Sequence, residues 1–188
     1  MYVYYPSTEG CEIVALDPVC NPCLDYEKGR IRSIALVHKS YYPTLAIDPT
    51  NPEVWKTGIL SGAIKVINEV LGSTDGGSEK TGPGYGDNIE TLLGYDFAPV
   101  IKDPNYKGNS LFWNSVNGKS PYHLAYRTET QIHLSANPVT VIVKSPVEES
   151  LDSNVDWNIT LKWFQERPVI PNDTPEGIFE NCFQLAQD

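Results

Sequence analysis

The stretch Val155-Asp156-Trp157-Asn158-Ile159-Thr160-Leu161-Lys162-Trp163 decides the fold, because every odd position in it is large and apolar and every even one polar. Successive side chains of a strand point to opposite faces. The pattern therefore predicts a β-strand with five apolar groups, two of them indoles, on a buried face and four polar ones toward water. A sheet with one solvated face is antiparallel, since parallel sheets are covered on both sides by their crossover helices.

Outward from this strand the chain keeps the same character. Tyr122 to Glu129, Thr130 to Ser135 and Val139 to Lys144 are consecutive strand candidates, with Pro138 and Pro146 between or beyond them and Pro168 closing the strand at 155–164. Ile31 to Lys39 (IRSIALVHK) is apolar enough to be buried on much of both faces. Two short helices interrupt the strands. Asn51-Pro52-Glu53 writes a helix start, with a capping side chain, a proline at the first helical position and an acid at the positive end of the dipole; this helix runs to Leu60 and stops at Gly62. Asn109 caps a second, Ser110 to Asn117, closed by Gly118, with Leu111, Phe112 and Val116 near one face and Trp113 beside them, and the helix is expected to pack as a plug on the sheet. Between Ala63–Leu71 and Asn88–Ile101 lies GSTDGGSEKTGPGYGD, residues 72–87, with six glycines and a single aromatic residue. Connections longer than about 12–15 residues are uncommon unless they are used. The segment is expected to be a long loop at the tip of a hairpin formed by its two flanks.

Fifteen prolines and fourteen glycines favour turns and short strands over long helices. The expectation is a mainly β chain, an antiparallel β-sandwich or barrel with one or two short helices and a long Gly-rich hairpin loop. Residues 1–30 read as an N-terminal arm and 31–188 as one domain. A net charge of −10 argues against a surface that holds nucleic-acid phosphates, whose affinity comes from Lys and Arg releasing counterions. Met1–Pro6 has no basic region leading into an apolar run, and no segment approaches the roughly 20 apolar residues of a membrane span. A protein made in the cytoplasm, with no membrane partner, is expected.

No motif carries chemistry. Cys20-Asn-Pro-Cys23 has the spacing of half a zinc knuckle, but Cys11 and Cys182 do not form the other half, so the four thiols read as small apolar residues before they read as ligands. In Gly76-Gly-Ser-Glu79-Lys80-Thr81 an acid stands where a phosphate-binding loop needs glycine before its lysine. His38, His123 and His133 fall inside strands, without the acid spacing or serine elbow of a hydrolase. No catalytic, cofactor-binding or metal residue is therefore assigned, and no cofactor. The residues expected to meet a partner are those of the Gly-rich loop: Asp75, Glu79, Lys80, Tyr85 and Asp87.

Asp103-Pro-Asn-Tyr106 followed by Asn109-Ser-Leu-Phe-Trp-Asn114, Ala125-Tyr-Arg-Thr-Glu-Thr130 and Val155–Trp163 resembles the layout of phage tail-tube-like proteins. Glu27-Lys-Gly-Arg-Ile-Arg-Ser33, Gly84-Tyr-Gly-Asp87, Lys102-Asp-Pro-Asn-Tyr106 and Pro175-Glu-Gly-Ile-Phe179 resemble virion structural proteins of the crAss-like phages of gut Bacteroidota. The resemblance covers most of residues 25 to 182. It implies a non-enzymatic virion component: a homo-oligomeric tail ring or tube subunit assembled in the host cytoplasm, touching other tail or head proteins. DNA would pass such a ring without specific binding, and an acidic bore repels phosphate. A capsid auxiliary or head-fibre protein is the alternative within this class, and a small carbohydrate-binding sandwich the alternative outside it.

Overall fold

The computed structural model describes residues 29–84, 86, 89–146 and 155–179. In chain order the elements are β1 (Ser33–His38), α1 (Tyr42–Ile47), α2 (Pro52–Leu60), β2 (Ile64–Ile67), β3 (Leu71–Ser73), β4 (Ser78–Pro83), β5 (Glu90–Phe97), β6 (Val100–Asp103), α3 (Ser110–Val116), β7 (Tyr122–Arg127), β8 (Gln131–Leu134), β9 (Thr140–Lys144), β10 (Trp157–Gln165) and β11 (Pro171–Asp173). Every pairing is antiparallel. One sheet has the order β11-β8-β7-β1-β2, and the other β3-β6-β10-β5-β4 with β9 on the remaining edge of β10. Among the described residues, two isolated β-bridges link the sheets, Ile31 with Gly72 and Tyr122 with Val139. The molecule is thus a mainly β sandwich and not a closed barrel.

β10 bears out the period-two reading. Trp157, Ile159, Leu161 and Trp163 are buried, while Asn158, Thr160 and Lys162 keep contact with solvent. Val155 precedes the strand and is half-buried. Its partners β5 and β6 meet β10 in a single register, Phe97 opposite Trp163 and Val100 opposite Thr160. Pro99 falls in the gap between them, where a missing N–H breaks the ladder on one side only. Its carbonyl still accepts from Leu161 N at 3.1 Å.

β1 supplies two cores from one strand, which is why its sequence is continuously apolar. Ile34 and Leu36 face the space between the sheets, with Phe97, Ile101, Leu124, Ile159 and Leu161. Ala35 and Val37 face the opposite way, under α1 and α2, with Leu45, Trp55, Ile64 and Phe179. All four indoles satisfy their N–H: Trp55 donates to Pro49 O at 2.8 Å, Trp113 to Asp103 Oδ2 at 2.6 Å, Trp157 to Tyr106 O at 2.8 Å and Trp163 to Gln165 Oε1 at 2.8 Å. A buried donor left without an acceptor would cost about 1–3 kcal/mol, so these partners are part of the packing.

The predicted start of α2 holds in detail: Asn51 accepts from Glu53 N at 3.0 Å, Pro52 opens the helix, and Gly62 beyond its end has φ +75°. α1 is a helix that the sequence did not announce. α3 differs from its expectation. Asn109 makes no side-chain cap; its amide donates instead to Asp103 Oδ2 at 2.7 Å. Trp113 and Val116 form the buried face, and Leu111 points to solvent.

The Gly-rich segment also departs from expectation. Residues 72–87 are not one long loop: they contribute most of β3, a turn at 74–77, and the whole of β4. β3 pairs with β6 and β4 with β5, so the long hairpin exists, but glycine-rich backbone forms one of its arms and not merely its tip. The flank expected to form that arm, β2, pairs with β1 instead.

Candidate functional site

The β4–β5 hairpin leaves the body of the sandwich at the end of β10. The last β10 pair is Gln165 with Tyr95, and from Gly94 to Glu90 the strand β5 pairs only with β4. At about 3.3 Å per residue this arm reaches roughly 15 Å past that pair before its turn. Its root is tightly fixed. Gly94 (φ +148°) lies so close to the end of β10 that a Cβ there would stand 2.6 Å from Gln165 O and 2.9 Å from Glu166 Cα. Lys80 Nζ lies 5.3 Å from the centroid of the Phe164 ring, a cation–π contact across the same root.

Beyond the root neither face is covered. Thr81 and Pro83 are exposed, as are Glu90, Thr91, Leu92 and Leu93, and so are Ser78, Glu79 and Lys80 where β4 approaches the root. The register shifts between Lys80 and Thr81, which leaves Leu93 as the extra residue of a bulge; Leu92 and Leu93 are each 49% exposed and Ile89 is 90% exposed.

Beside the arm's root lies a cavity of about 790 Å³ between α1, the end of β8 with the turn after it, and the β10–β11 connection. Tyr42, Ile47, Leu134, Phe164, Val169 and Ile170 give it apolar walls, and Glu166 and Arg167 add a charge of each sign. Ile47 and Ile170 are largely exposed. Tyr42 stacks on His123 with ring centroids 3.6 Å apart and planes within 8°, and burial raises the pKa of its hydroxyl. Burial lowers the pKa of His123, opposed by its hydrogen bond to Ser135 O at 3.2 Å.

A second cavity, of about 580 Å³, is lined by Arg30, Arg32, Arg127, Ser33 and Glu69. Arg32 pairs with Glu129 at 3.2 Å, while Arg127 donates to the carbonyls of Glu129 at 3.2 Å and Phe179 at 3.4 Å. Two of its three guanidinium groups are thus engaged in holding β1, β7 and the chain near Phe179 together.

The residues singled out in the sequence distribute unevenly. Asp75 serves the turn, accepting from Gly77 N at 3.0 Å, while Glu79 and Lys80 stand exposed on β4 at the root of the arm. Tyr85, Asp87 and the four cysteines, Cys11, Cys20, Cys23 and Cys182, lie outside the described residues. His38, His123 and His133 are in β1, β7 and β8, with His38 Nδ1 at 2.7 Å from Ser40 Oγ and His133 stacked on Tyr126. Ile89, Leu92 and Leu93 were missed. The signal was present as Ile89-Glu-Thr-Leu-Leu93, an apolar cluster in a stretch otherwise read as ordinary strand.

No family model, no curated protein and no solved structure matches this chain.

Proposed function

We propose that the protein is a structural subunit that assembles with copies of itself, in the manner of the ring or tube of a phage tail. The observation that carries this reading is the β4–β5 arm. A two-stranded ribbon with both faces in water is marginal by itself, and apolar side chains at its end gain nothing in the monomer. Both features make sense in an assembly, where the arm lies on a neighbour and Ile89, Leu92 and Leu93 leave water.

Charge supports the same reading. A subunit of net charge −10 repeated around an axis surrounds its bore with negative potential, and DNA moving through would not lodge on it. The virion assignment itself rests on the resemblance of the sequence segments above.

The test removes the arm without touching the sandwich. Replacing residues 81–93 by Asn-Gly joins Lys80 to Gly94, which already face each other, through a two-residue turn suited to a hairpin. The shortened protein keeps its melting temperature and far-UV spectrum, and sediments as a monomer where the full chain sediments as a ring or stack. Unchanged assembly after the replacement would remove the arm from the reading, and a full chain that stays monomeric at every concentration would remove the reading itself.

A further inference from the structure

We propose that the cavity beside the root of the arm is the socket for the arm of another copy, with Ile89 and Leu92 of one subunit seated against Ile47 and Ile170 of the next. This rests on the assembly reading above and names its receiving surface.

Three observations lead to a second copy of this chain as the occupant. The socket has apolar side chains, Tyr42, Leu134, Phe164 and Val169, beside polar ones such as Asn137 and Asn172, and is rimmed by Ile47 and Ile170, 86% and 73% exposed, while the arm carries the matching uncovered side chains, Ile89 at 90% and Leu92 at 49%. The arm of the same subunit does not fill it: Gly94 meets Glu166 and Lys80 meets Phe164 at the socket's edge, the ladder carries the ribbon roughly 15 Å past the end of β10, and none of the arm's described residues lines the socket. The socket rim carries an exposed charge of each sign, Glu166 and Arg167, and Glu90, exposed next to Ile89 at the tip, offers a partner to the second of them.

Knob and socket are different surfaces, so the contact is heterologous. Repeated with a rotation that closes, it makes a ring, and with one that does not, a helical stack. A reciprocal exchange between two subunits would stop at a dimer.

The experiment uses complementary defects in the full-length chain. One variant carries Ile89→Asp and Leu92→Asp, the other Ile47→Asp and Ile170→Asp; all four positions are substantially exposed, and circular dichroism and thermal melts check that each variant folds. Burial of an Ile or Leu side chain corresponds to roughly a 10- to 100-fold change in association constant. Each variant is therefore expected to sediment as a monomer at concentrations where the unmodified chain is assembled. Mixed in equal amounts they form a one-to-one complex and nothing larger, because the intact arm of the socket variant enters the intact socket of the arm variant.

Assembly of the socket variant indistinguishable from the unmodified chain, with the arm variant monomeric, overturns the socket and leaves the assembly reading standing. Two monomeric variants that do not complement each other also overturn it. If the socket variant destabilises the fold, Ile170→Ser replaces it, and the same loss of association is required. A discrete dimer of the unmodified chain that both variants abolish would support the socket and overturn the ring.

Discussion

Asp103 is the residue whose removal should cost the fold most for its size. It lies at the end of β6 opposite Trp157, is buried, and accepts three hydrogen bonds: Asn105 N to Oδ1 at 2.9 Å, Asn109 Nδ2 to Oδ2 at 2.7 Å and Trp113 Nε1 to Oδ2 at 2.6 Å. Those bonds hold the turn after β6 and the plug helix α3 against the core. In Asp103→Ala the three donors lose their acceptor together. Asn105 and Asn109 lie near the surface and regain water, but the Trp113 indole is wholly buried and bears the full desolvation penalty. An unsatisfied buried donor costs about 1–3 kcal/mol and each of the two other hydrogen bonds contributes about 0.5–1.5, so we expect about 3–4 kcal/mol in all. That is a large part of the roughly 5–15 kcal/mol by which a domain is stable. Urea unfolding followed by tryptophan fluorescence, with an unchanged slope, measures it. Trp113→Phe removes the donor with its acceptor still served by Asn109 and should cost about 1–2 kcal/mol; in the double variant the two losses should fall short of their sum by at least about 1 kcal/mol. An Asp103→Ala penalty below about 1 kcal/mol, or strict additivity, would refute the network.

Gly94→Ala forces a Cβ to within 2.6 Å of Gln165 O at a φ of +148°, and should cost more than about 2 kcal/mol by thermal melt, whereas Gly29→Ala, with nothing within 4 Å, should be nearly neutral. Asn51→Ala removes the cap of α2 and should cost about 1 kcal/mol in the same assay. Acid and alkali should each weaken the fold through an identifiable ring. His123 is held below its ordinary 6.5 by burial, so as pH falls past 6.5 the unfolded chain binds the proton first; its contribution is complete above that value and declines below it, and His123→Gln flattens the decline. Burial pushes the Tyr126 hydroxyl up to about 12, so between pH 10 and 12 the unfolded chain ionises first and stability falls as pH rises; Tyr126→Phe removes that part of the loss.

Legibility in the sequence followed burial. β10 could be read because one of its faces is wholly buried and the other is not, which writes a period of two into the residue types. β1 could be read because its two faces serve two cores. α2 could be read because its start is local: Asn51, Pro52 and Glu53 suffice without the rest of the chain. α1 escaped because its six residues contain Pro43 and a single buried side chain, Leu45, and its place is set by the sheet beneath it. Asn109 was misread for a related reason. A side chain with a local cap available was taken by a better acceptor six residues earlier, Asp103, whose burial nothing in its neighbours announced.

β4 was illegible as a strand because neither of its faces is buried, so Ser78-Glu-Lys-Thr-Gly-Pro83 shows no apolar period, and only its partner β5 makes it a strand. Its glycine, and the one just before it, are read differently once that partner is known. A Cβ at Gly77, at the end of the preceding turn, would stand 2.9 Å from the Phe97 ring and one at Gly82 3.0 Å from Leu93, so both admit a large side chain of the hairpin rather than loosen the chain. This divides the arm's two strands by task. β4, whose outer edge pairs with no strand among the described residues, carries Glu79, Lys80 and Pro83, residue types that discourage indiscriminate edge-to-edge pairing. β5 and the turn before it carry the uncovered Ile89, Leu92 and Leu93. Recognition by the arm should then run through side chains of β5 and not through the backbone edge of β4. Leu92→Ala should weaken self-association by roughly tenfold or more, as the loss of a buried Leu contact requires. Glu79→Ala, on the edge strand, should leave it within about threefold, because an exposed charge contributes about 0–1 kcal/mol. Sedimentation equilibrium on the two variants measures both, and the opposite order of effects would mean that assembly proceeds by strand addition at β4.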